Sequence, residues 1–178
     1  MNSPNLNLIA PTIQYRDSFL EGLSALRDEG LEHYQHADIE AIARDFEDYV
    51  NQQLRHATDP IPPYVPSTEL WAIVNDTYVG SVSIRHRLNI PLKILGGHIG
   101  YDVVPGHRRK GYASEMLRQA IPIARSLGIQ EILITCDDDN VASIRVIEKH
   151  GGVLRDKKPL PWPPETLKRY YLINVLSS

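Results

Sequence analysis

The sequence predicts a single mixed α/β (α+β) domain whose mostly antiparallel sheet is flanked by helices. Strand and helix patterns follow one another in the order strand, two helices, three strands, helix, strand, helix, two strands. The continuous apolar run at residues 131–136 is typical of a strand buried on both faces, as in parallel pairing. A chain of 178 residues suits one domain with its own core, which we place at residues 6–178.

The first elements are a short strand and two helices. Residues 6–9 predict the strand, and apolar residues at helical spacing then follow from Thr12 to a terminating Gly30. Asp38 is a suitable N-cap for a second helix that continues to Leu54. Each helix carries an apolar stripe along one face.

A proline-rich loop separates these helices from a β-hairpin. The prolines of residues 59–66 exclude a helix or a sheet interior, and a loop of this length is a candidate wall of the functional site. Residues 70–74 and 78–84 predict two strands joined by a tight turn. A short loop that contains Asn89 and Pro91 then leads into the central strand.

The centre of the chain is a strand, a basic loop and a helix within residues 97–117. The strand is predicted by β-branched and aromatic residues at 99–104, and the helix by apolar residues at spacings of three and four before Gly128. Arg108, Arg109 and Lys110 stand directly before Gly111. A helix start offers unpaired N–H groups and the positive end of the helix dipole. Three cations and a flexible glycine at that point predict a phosphate-binding loop.

The last elements are a strand, a helix and a hairpin. After the apolar strand at residues 131–136, residues 137–140 cap a helix that Gly151 and Gly152 end. The final hairpin pairs residues 153–154 with residues 170–175 through a second proline-rich connection.

Composition excludes several classes of protein. The formal net charge of -3 provides no general basic field for nucleic acid, so the basic loop is a local anion site. The single cysteine, Cys136, excludes an internal disulfide and favours a reducing compartment. The N-terminus has no signal-peptide pattern, and no apolar run approaches the ~18 residues of a membrane span. We therefore expect a cytoplasmic protein that binds neither nucleic acid nor membrane.

The basic loop resembles a known cofactor-binding motif. Its run Arg108-Arg109-Lys110-Gly111-Tyr112-Ala113 is similar to the acetyl-coenzyme A loop of the GNAT superfamily of N-acetyltransferases. The motif of that superfamily is Arg or Gln, two residues, Gly, one residue, then Gly or Ala. The order of elements resembles the same family over nearly the whole chain. The resemblance implies a GNAT-like fold in which a central pair of parallel strands splays apart, and it implies acetyl-CoA as cosubstrate without a metal.

The resemblance also implies which residues bind the cofactor. Backbone groups of Val103 and Val104 would pair with the pantetheine arm and polarise the thioester carbonyl. The loop and the first helical turn would hold the pyrophosphate through their N–H groups and cationic side chains. These residues are Arg108, Arg109, Lys110, Gly111, Tyr112, Ala113 and Ser114.

A second partial motif concerns the leaving thiolate. Asn140 and Ser143 resemble a GNAT signature in which the Asn contacts the pantetheine. Many members carry a tyrosine that protonates the thiolate at the position where this chain has Ile147. Tyr170 or Tyr171 of the last hairpin is the expected replacement, unless the thiolate leaves without help.

The central strand also offers a general base. His98, Gly100 and Asp102 alternate onto one face, and His98 stands where related acetyltransferases carry a Glu or His base. Histidine suits proton abstraction because its ordinary pKa lies near neutrality. The alternative is a histidine that forms hydrogen bonds within the sheet. Glu69 and Asp102 are further candidates.

Two other clusters are weaker. His33 and His36 lack a clear third ligand, so a solvated pair is expected instead of a metal site. The basic residues 85–87 suit the 3′-phosphate of the cofactor or an acidic acceptor, although exposed charge at a strand end is the default.

These observations predict an N-acetyltransferase that moves the acetyl group of acetyl-CoA directly to a primary amine of a small molecule or peptide. Direct transfer is preferred because Cys136 lies in a buried strand. One alternative is an acyl-CoA binding or sensing module with weak or no catalysis, suggested by Ile147. Another is a nucleotide or RNA binder that uses the basic loop. Dimers are common among related proteins, which makes a homodimer a further hypothesis.

Overall fold

The computed structural model describes residues 5–31 and 34–174, which form two antiparallel sheets and six α-helices. The helices are α1 (Arg16–Asp28), α2 (Ile39–Arg44), α3 (Phe46–Arg55), α4 (Ile90–Leu95), α5 (Tyr112–Ser126) and α6 (Val141–Lys149). The strands are β1 (Asn7–Ile9), β2 (Ser67–Val74), β3 (Thr77–Arg85), β4 (Ile99–Val103), β5 (Glu131–Asp137), β6 (Val153–Pro159) and β7 (Leu167–Asn174). This order confirms the predicted mixed α/β class.

The first sheet has the strand order β1-β2-β3-β4, with every pair antiparallel. The predicted hairpin turn lies at Asn75 and Asp76, whose φ values of 46° and 59° match the two left-handed positions of a type I′ turn. Across the sheet, Glu69 of β2 lies opposite Ser83 of β3, which lies opposite Gly100 of β4. This register aligns one row of side chains over three strands.

The second sheet has the order β5-β7-β6, again antiparallel. Among the described residues the two sheets are joined by one isolated bridge, between Gly97 and Ile134. A Cβ atom on Gly97 would lie 2.4 Å from the carbonyl oxygen of Leu133, and the residue has a φ of +67°, so the crossing requires glycine. Beyond this crossing β4 and β5 separate. We call the space between them the inter-sheet gap.

The prediction that the apolar strand is buried on both faces is wrong. Residues Ile132, Ile134 and Cys136 of β5 are buried, whereas the alternate positions Leu133 and Thr135 are only partly so. Its ladder is the antiparallel one with β7, and no parallel ladder joins it to β4 within residues 5–31 and 34–174. The missing ladder to β4 is the splayed arrangement that the resemblance implies.

Two boundaries also differ from prediction. The loop before the central strand contains α4. The Asn89 side chain caps this helix by accepting a hydrogen bond from the Leu92 N–H. Pro91 lies in the first turn, where its missing N–H would have no partner within the helix. Asp38 caps the second helix as predicted, accepting from the N–H of Ala41, but that helix breaks at Asp45 into α2 and α3. His33, Val175 and the N-terminal tetrapeptide lie outside the described residues.

The first sheet buries a different core on each face. Helix α5 covers one face, and α6 packs beside it and against β5, around an aliphatic core that includes Ile84, Ile99 and Met116. Helices α1 and α3 cover the other with an aromatic core, in which the rings of Phe19 and Trp71 stack at 4.4 Å between centroids. Alternate residues of β4 therefore face two distinct environments.

Candidate active site

The loop that precedes α5 has the backbone of an anion site. Gly111 forms the N-cap of α5 at φ 82° and ψ 2°, and Arg109 has φ 62°. The first-turn N–H groups of α5 point out of the start of a 15-residue helix. The side chains of Arg109 and Lys110 are exposed beside them. We call residues 108–114 the anion loop. Its backbone geometry and charge suit an anion.

Within the anion loop, Tyr112 and Ala113 are half-buried and pack against the aliphatic core. Ser114 lies 2.8 Å from the ring of His150, measured from Oγ to Nε2, at the end of α6. Burial lowers the pKa of His150, with a further contribution from Lys149. The anion loop is therefore attached to both helices that cover the aliphatic core.

Arg108 has protein partners of its own. Its guanidinium forms two hydrogen bonds of 2.5 Å with the carboxylate of Glu29, at the end of α1, and its Nε donates to the carbonyl of Val103 at 3.0 Å. The sequence-based expectation gave this side chain to the pyrophosphate. In the structure it ties the end of β4 to α1.

The backbone register of β4 shows which groups face the inter-sheet gap. The N–H of Val104 donates to Val79 and the carbonyl of His98 accepts from Arg85, so the even-numbered positions bond to β3. In an antiparallel ladder the intervening residues point their N–H and C=O groups the other way. Tyr101 and Val103 therefore direct their backbone groups to the gap, although the Val103 carbonyl already accepts from Arg108. The Val104 N–H is part of the sheet.

Three side chains meet between β4, β5 and α6. The phenol oxygen of Tyr101 lies 2.8 Å from Oγ of Ser143, and Ser143 also interacts with the buried thiol of Cys136. Asn140 caps α6 by accepting a hydrogen bond from the Ser143 N–H at 2.9 Å. Burial raises the pKa of Tyr101 to about 12. Ile147, one turn further along α6, is fully buried.

Tyr101 was missed by the sequence analysis. The available signal was its place in the central strand, on the face opposite His98 and two residues before Val103. Its partner lies 42 residues away, on another element, and no local pattern connects the two.

His98 holds the crossing of the two sheets. Its N–H donates to the Leu133 carbonyl at 2.7 Å, and the Leu133 N–H donates to its Nδ1 at 2.9 Å. The neutral ring therefore carries its hydrogen on Nε2, and accepting a proton at Nδ1 would break the Leu133 bond. Burial and the nearby Arg85 lower the pKa of His98. This geometry favours the alternative of a structural histidine.

Tyr170 also has a structural bond. Its hydroxyl donates to the carbonyl of Ile94 at 3.0 Å, and Thr135 beside it donates to the carbonyl of Leu95 at 2.9 Å. Both bonds fasten the end of α4 to the second sheet. Tyr171 points elsewhere, donating to Glu148 of α6 at 3.0 Å.

A set of polar side chains lies on the face of the first sheet that α1–α3 cover. We call Glu69, Ser83, Arg85 and Asp102 the polar floor. Glu69 accepts hydrogen bonds of 2.8 Å from Ser67 and from Ser83. The Arg85 guanidinium donates to the carbonyls that precede β4 at 3.3 Å, and burial lowers its pKa although Glu69 and Asp102 oppose that effect.

Asp102 brings the polar floor to the edge of the inter-sheet gap. It belongs to β4, next in the chain to Tyr101 and Val103, and its Oδ2 accepts from the hydroxyl of Tyr34 at 3.3 Å. The same strand therefore presents backbone to the gap and a carboxylate to the opposite face.

The described residues offer neither a metal site nor a membrane-spanning helix. Residues 5–31 and 34–174 contain no group of three or more His, Cys, Asp or Glu side chains placed to hold a metal ion. Nor do the helices described here include one that is long and apolar enough to cross a membrane.

Comparison with known proteins identifies the family of the chain. Residues 7–153 match the family model for the acetyltransferase (GNAT) domain. The chain belongs to this family. A curated relative, the uncharacterized N-acetyltransferase YoaA of Bacillus subtilis (strain 168), is 40% identical over 62 residues, which are 32% of this chain and 35% of that protein. The match thus spans about a third of the length of this relative.

Solved structures of GNAT acetyltransferases share the fold over nearly the whole chain. The ribosomal L7/L12 alpha-N-protein acetyltransferase RimL in complex with coenzyme A has a TM-score of 0.71 at 15% identity, with 98% of this chain and 97% of RimL covered. The microcin C7 self-immunity acetyltransferase MccE with acetyl-CoA and AMP has a TM-score of 0.70 at 14% identity, covering 98% of each chain. The putative acetyltransferase yncA of Salmonella typhimurium with acetyl-CoA has a TM-score of 0.63 at 14% identity, covering 99% of this chain and 96% of yncA.

Proposed function

We propose that this GNAT acetyltransferase moves the acetyl group of acetyl-CoA directly to a primary amine of a small molecule or peptide. The observation that carries the proposal is the continuity of β4 with the anion loop. β4 ends at Val103, whose carbonyl accepts from Nε of Arg108 at 3.0 Å, so the anion loop is held at the end of that strand. A pyrophosphate at the turn would let the pantetheine arm extend along the free edge of β4 and pair with the backbone of Tyr101 and the N–H of Val103.

The acceptor would approach from the polar floor. The attacking amine must be neutral, so a group that accepts a proton has to lie near the thioester. We assign this role to Asp102, because it belongs to the strand that borders the gap. Glu69, two strands away, adds negative charge that attracts a cationic amine.

The chemical step forms one bond and breaks one. The amine nitrogen attacks the thioester carbonyl, the C–N bond forms, and the C–S bond breaks as its electron pair leaves with the sulfur. The proton lost by the amine passes to Asp102, directly or through water. Cys136 is a poor nucleophile for an acetyl-enzyme route because it is 5% exposed and burial raises the pKa of its thiol.

The protein exposes apolar side chains for the acceptor close to the polar floor. The loop at residues 59–66 exposes Ile61 and Tyr64, and α4 exposes Ile90. Asn89 at the start of α4 donates to the carbonyl of Pro63 at 3.5 Å, so loop and helix lie together. Because this loop runs directly into β2, which bears Glu69, an amine with an apolar neighbouring group suits the surface best.

The first test is release of coenzyme A thiol with acetyl-CoA and a panel of amines that includes peptides, polyamines, aminoglycosides and amino acids. We expect turnover of at least one amine, with a mass increase of one acetyl group on the product. Stabilisation by acetyl-CoA without turnover of any amine would favour the acyl-CoA sensing module instead.

The second test assigns the proton acceptor. Loss of a general base typically lowers rates by about 10²–10⁴-fold, so Asp102→Asn should lower kcat by at least about 100-fold while acetyl-CoA still binds. Glu131→Gln, which neutralises an exposed carboxylate at the start of β5, is the control and should leave kcat unchanged. A kcat for Asp102→Asn within about threefold of wild type would exclude Asp102 as the base.

A further inference from the structure

We propose that Arg85 of the polar floor binds a carboxylate of the acceptor, so that the substrate class is an α-amino acid with a free carboxyl group. The inference rests on the proposed function, because it concerns the acceptor side of the same site. It narrows the acceptor from any primary amine to one that carries an acidic group beside the amine.

One edge of the Arg85 guanidinium is unused. Its Nη1 donates to the carbonyls of Gly96 and Gly97 at 3.3 Å, whereas Nε and Nη2 have no hydrogen-bond partner among the described residues. Both nitrogens are accessible, since the described residues include no fully buried side-chain nitrogen or oxygen that lacks a partner. Nε and Nη2 are neighbouring donors on one side of a planar fork. This geometry suits a carboxylate, which accepts two parallel hydrogen bonds from such a fork.

The strand register places the guanidinium over β4. Arg85 follows Ser83 on the same face of β3, and Ser83 lies opposite Gly100. Gly100 has no side chain, which leaves room for the guanidinium: a Cβ atom there would lie 3.2 Å from Nη1 and 3.3 Å from Nη2. The positive charge of Arg85 therefore lies at the position of β4 that precedes Asp102 on the same face.

The polar floor offers both charges that a zwitterion requires. Asp102 lies two residues beyond Gly100, which is about 6–7 Å along a strand. An α-amino acid carries its amine and its carboxylate on one carbon atom, and a hydrogen bond of about 2.9 Å at each end covers the remaining distance. With its carboxylate on Arg85, the amine would lie beside Asp102, the proposed proton acceptor. Glu69, which accepts from Ser83, adds a second negative charge for the ammonium form.

Other amines suit the floor less well. A simple amine would cover Arg85 without giving its free edge a partner, and a polar group that loses water and stays unpaired costs free energy. A peptide N-terminus has a neutral amide in place of the carboxylate, so it lacks the charge-assisted bond. Because Arg85 lies on the polar floor, it favours an acidic acceptor over the 3′-phosphate of the cofactor.

The first test uses wild type alone. The probes are the common L-amino acids, each paired with its carboxamide, which keeps the amine and the side chain but removes the negative charge. The carboxamide is the weaker base, so more of its amine is neutral at a given pH and chemical reactivity alone favours it. We expect kcat/KM to be at least about tenfold higher for the acid, the effect of a charge-assisted hydrogen bond. Equal or higher values for the carboxamides would overturn the inference.

The second test separates binding by Arg85 from its structural bonds. Arg85→Gln should raise KM for the acid and leave kcat/KM for the carboxamide near wild type, so that the ratio of the two kcat/KM values falls to about one. Arg85→Lys keeps the charge without the fork and should keep part of the preference. Arg125→Gln removes an exposed guanidinium at the end of α5 and is the control, which should keep the wild-type ratio. A purely structural Arg85 would lower both kcat/KM values alike and leave their ratio unchanged.

The outcomes separate this inference from the proposed function. If wild type acetylates only amines without a neighbouring carboxylate, such as polyamines or peptide N-termini, the proposed function stands and Arg85 has no role in the choice of acceptor. If no amine stimulates the release of coenzyme A, the proposed function fails and this inference fails with it.

Discussion

Replacement of Gly111 gives the sharpest test of the anion loop. At φ 82° and ψ 2° the residue is left-handed, where a side chain costs about 1–2 kcal/mol. For a protein of this size each kcal/mol lowers the melting temperature by about 2–4 °C. Gly111→Ala should therefore melt about 2–8 °C below wild type. Gly111→Glu should do the same and add a carboxylate where the pyrophosphate is expected.

The charge determines the effect on the cofactor. A carboxylate about 4 Å from a phosphate repels it by about 4 kcal/mol at the dielectric of a protein surface, which is about a thousandfold in Kd. Acetyl-CoA at 100 times its Kd stabilises wild type by about 2.7 kcal/mol, or about 5–11 °C in melting temperature. At the same concentration, the shift for Gly111→Glu should vanish.

The matched control is Gly128→Glu, at the other end of α5. Gly128 has a φ of +84°, close to that of Gly111, and a Cβ atom there meets nothing within 4 Å. Gly128→Glu should therefore lose similar stability and keep the full acetyl-CoA shift. A full shift in Gly111→Glu, measured by differential scanning fluorimetry, would refute the assignment of the pyrophosphate to this turn.

Two further predictions concern titrating groups. Hydrogen bonds from Arg118, and then from Gln119, lower the pKa of the buried Glu115 below its ordinary 4.5. Its carboxylate therefore stabilises the fold above pH 4.5, and this contribution disappears as the pH falls through the lowered pKa. Glu115→Gln should lower the free energy of unfolding at pH 7 by about 1 kcal/mol. The fall of that free energy between pH 7 and pH 3, measured by urea titrations, should become shallower in the variant. An unchanged pH dependence would contradict this. His98→Ala should lower the melting temperature by loss of the Leu133 bond and leave the shape of the pH–rate profile unchanged. Because burial and Arg85 lower the pKa of His98, loss of a limb below the ordinary histidine pKa would identify His98 as the base.

The parts of the fold that the sequence predicted correctly depend on local chemistry. The hairpin turn at Asn75 and the helix cap at Asp38 are determined by residues within a few positions of one another. Helix α4 was missed because it is only six residues long and contains Pro91, which the pattern treats as a breaker. Its cap, Asn89, was the available signal.

The parts of the site that were missed depend on contacts between distant residues. Arg108 matches a local motif, and the motif gives its side chain to a phosphate, but its partner Glu29 lies 79 residues away. His98 occupies the position expected of a base, yet Leu133 of β5 binds its acceptor nitrogen. Neither partner has a sequence pattern of its own. Packing of the sheets brings them together, and a single sequence does not specify that packing.

The crossing at Gly97 explains how one strand can serve both halves of the reaction. It joins the sheets just before β4, and among the described residues no strand pairs with the rest of β4 on that edge. From there the two-residue period of a strand separates its side chains, Tyr101 to the aliphatic face and Asp102 to the polar floor. An incoming amine needs a proton acceptor, the role that we propose for Asp102. Because side chains alternate along a strand, a one-residue shift of register in β4 would turn the Asp102 carboxylate into the aliphatic core and remove that acceptor from the polar floor.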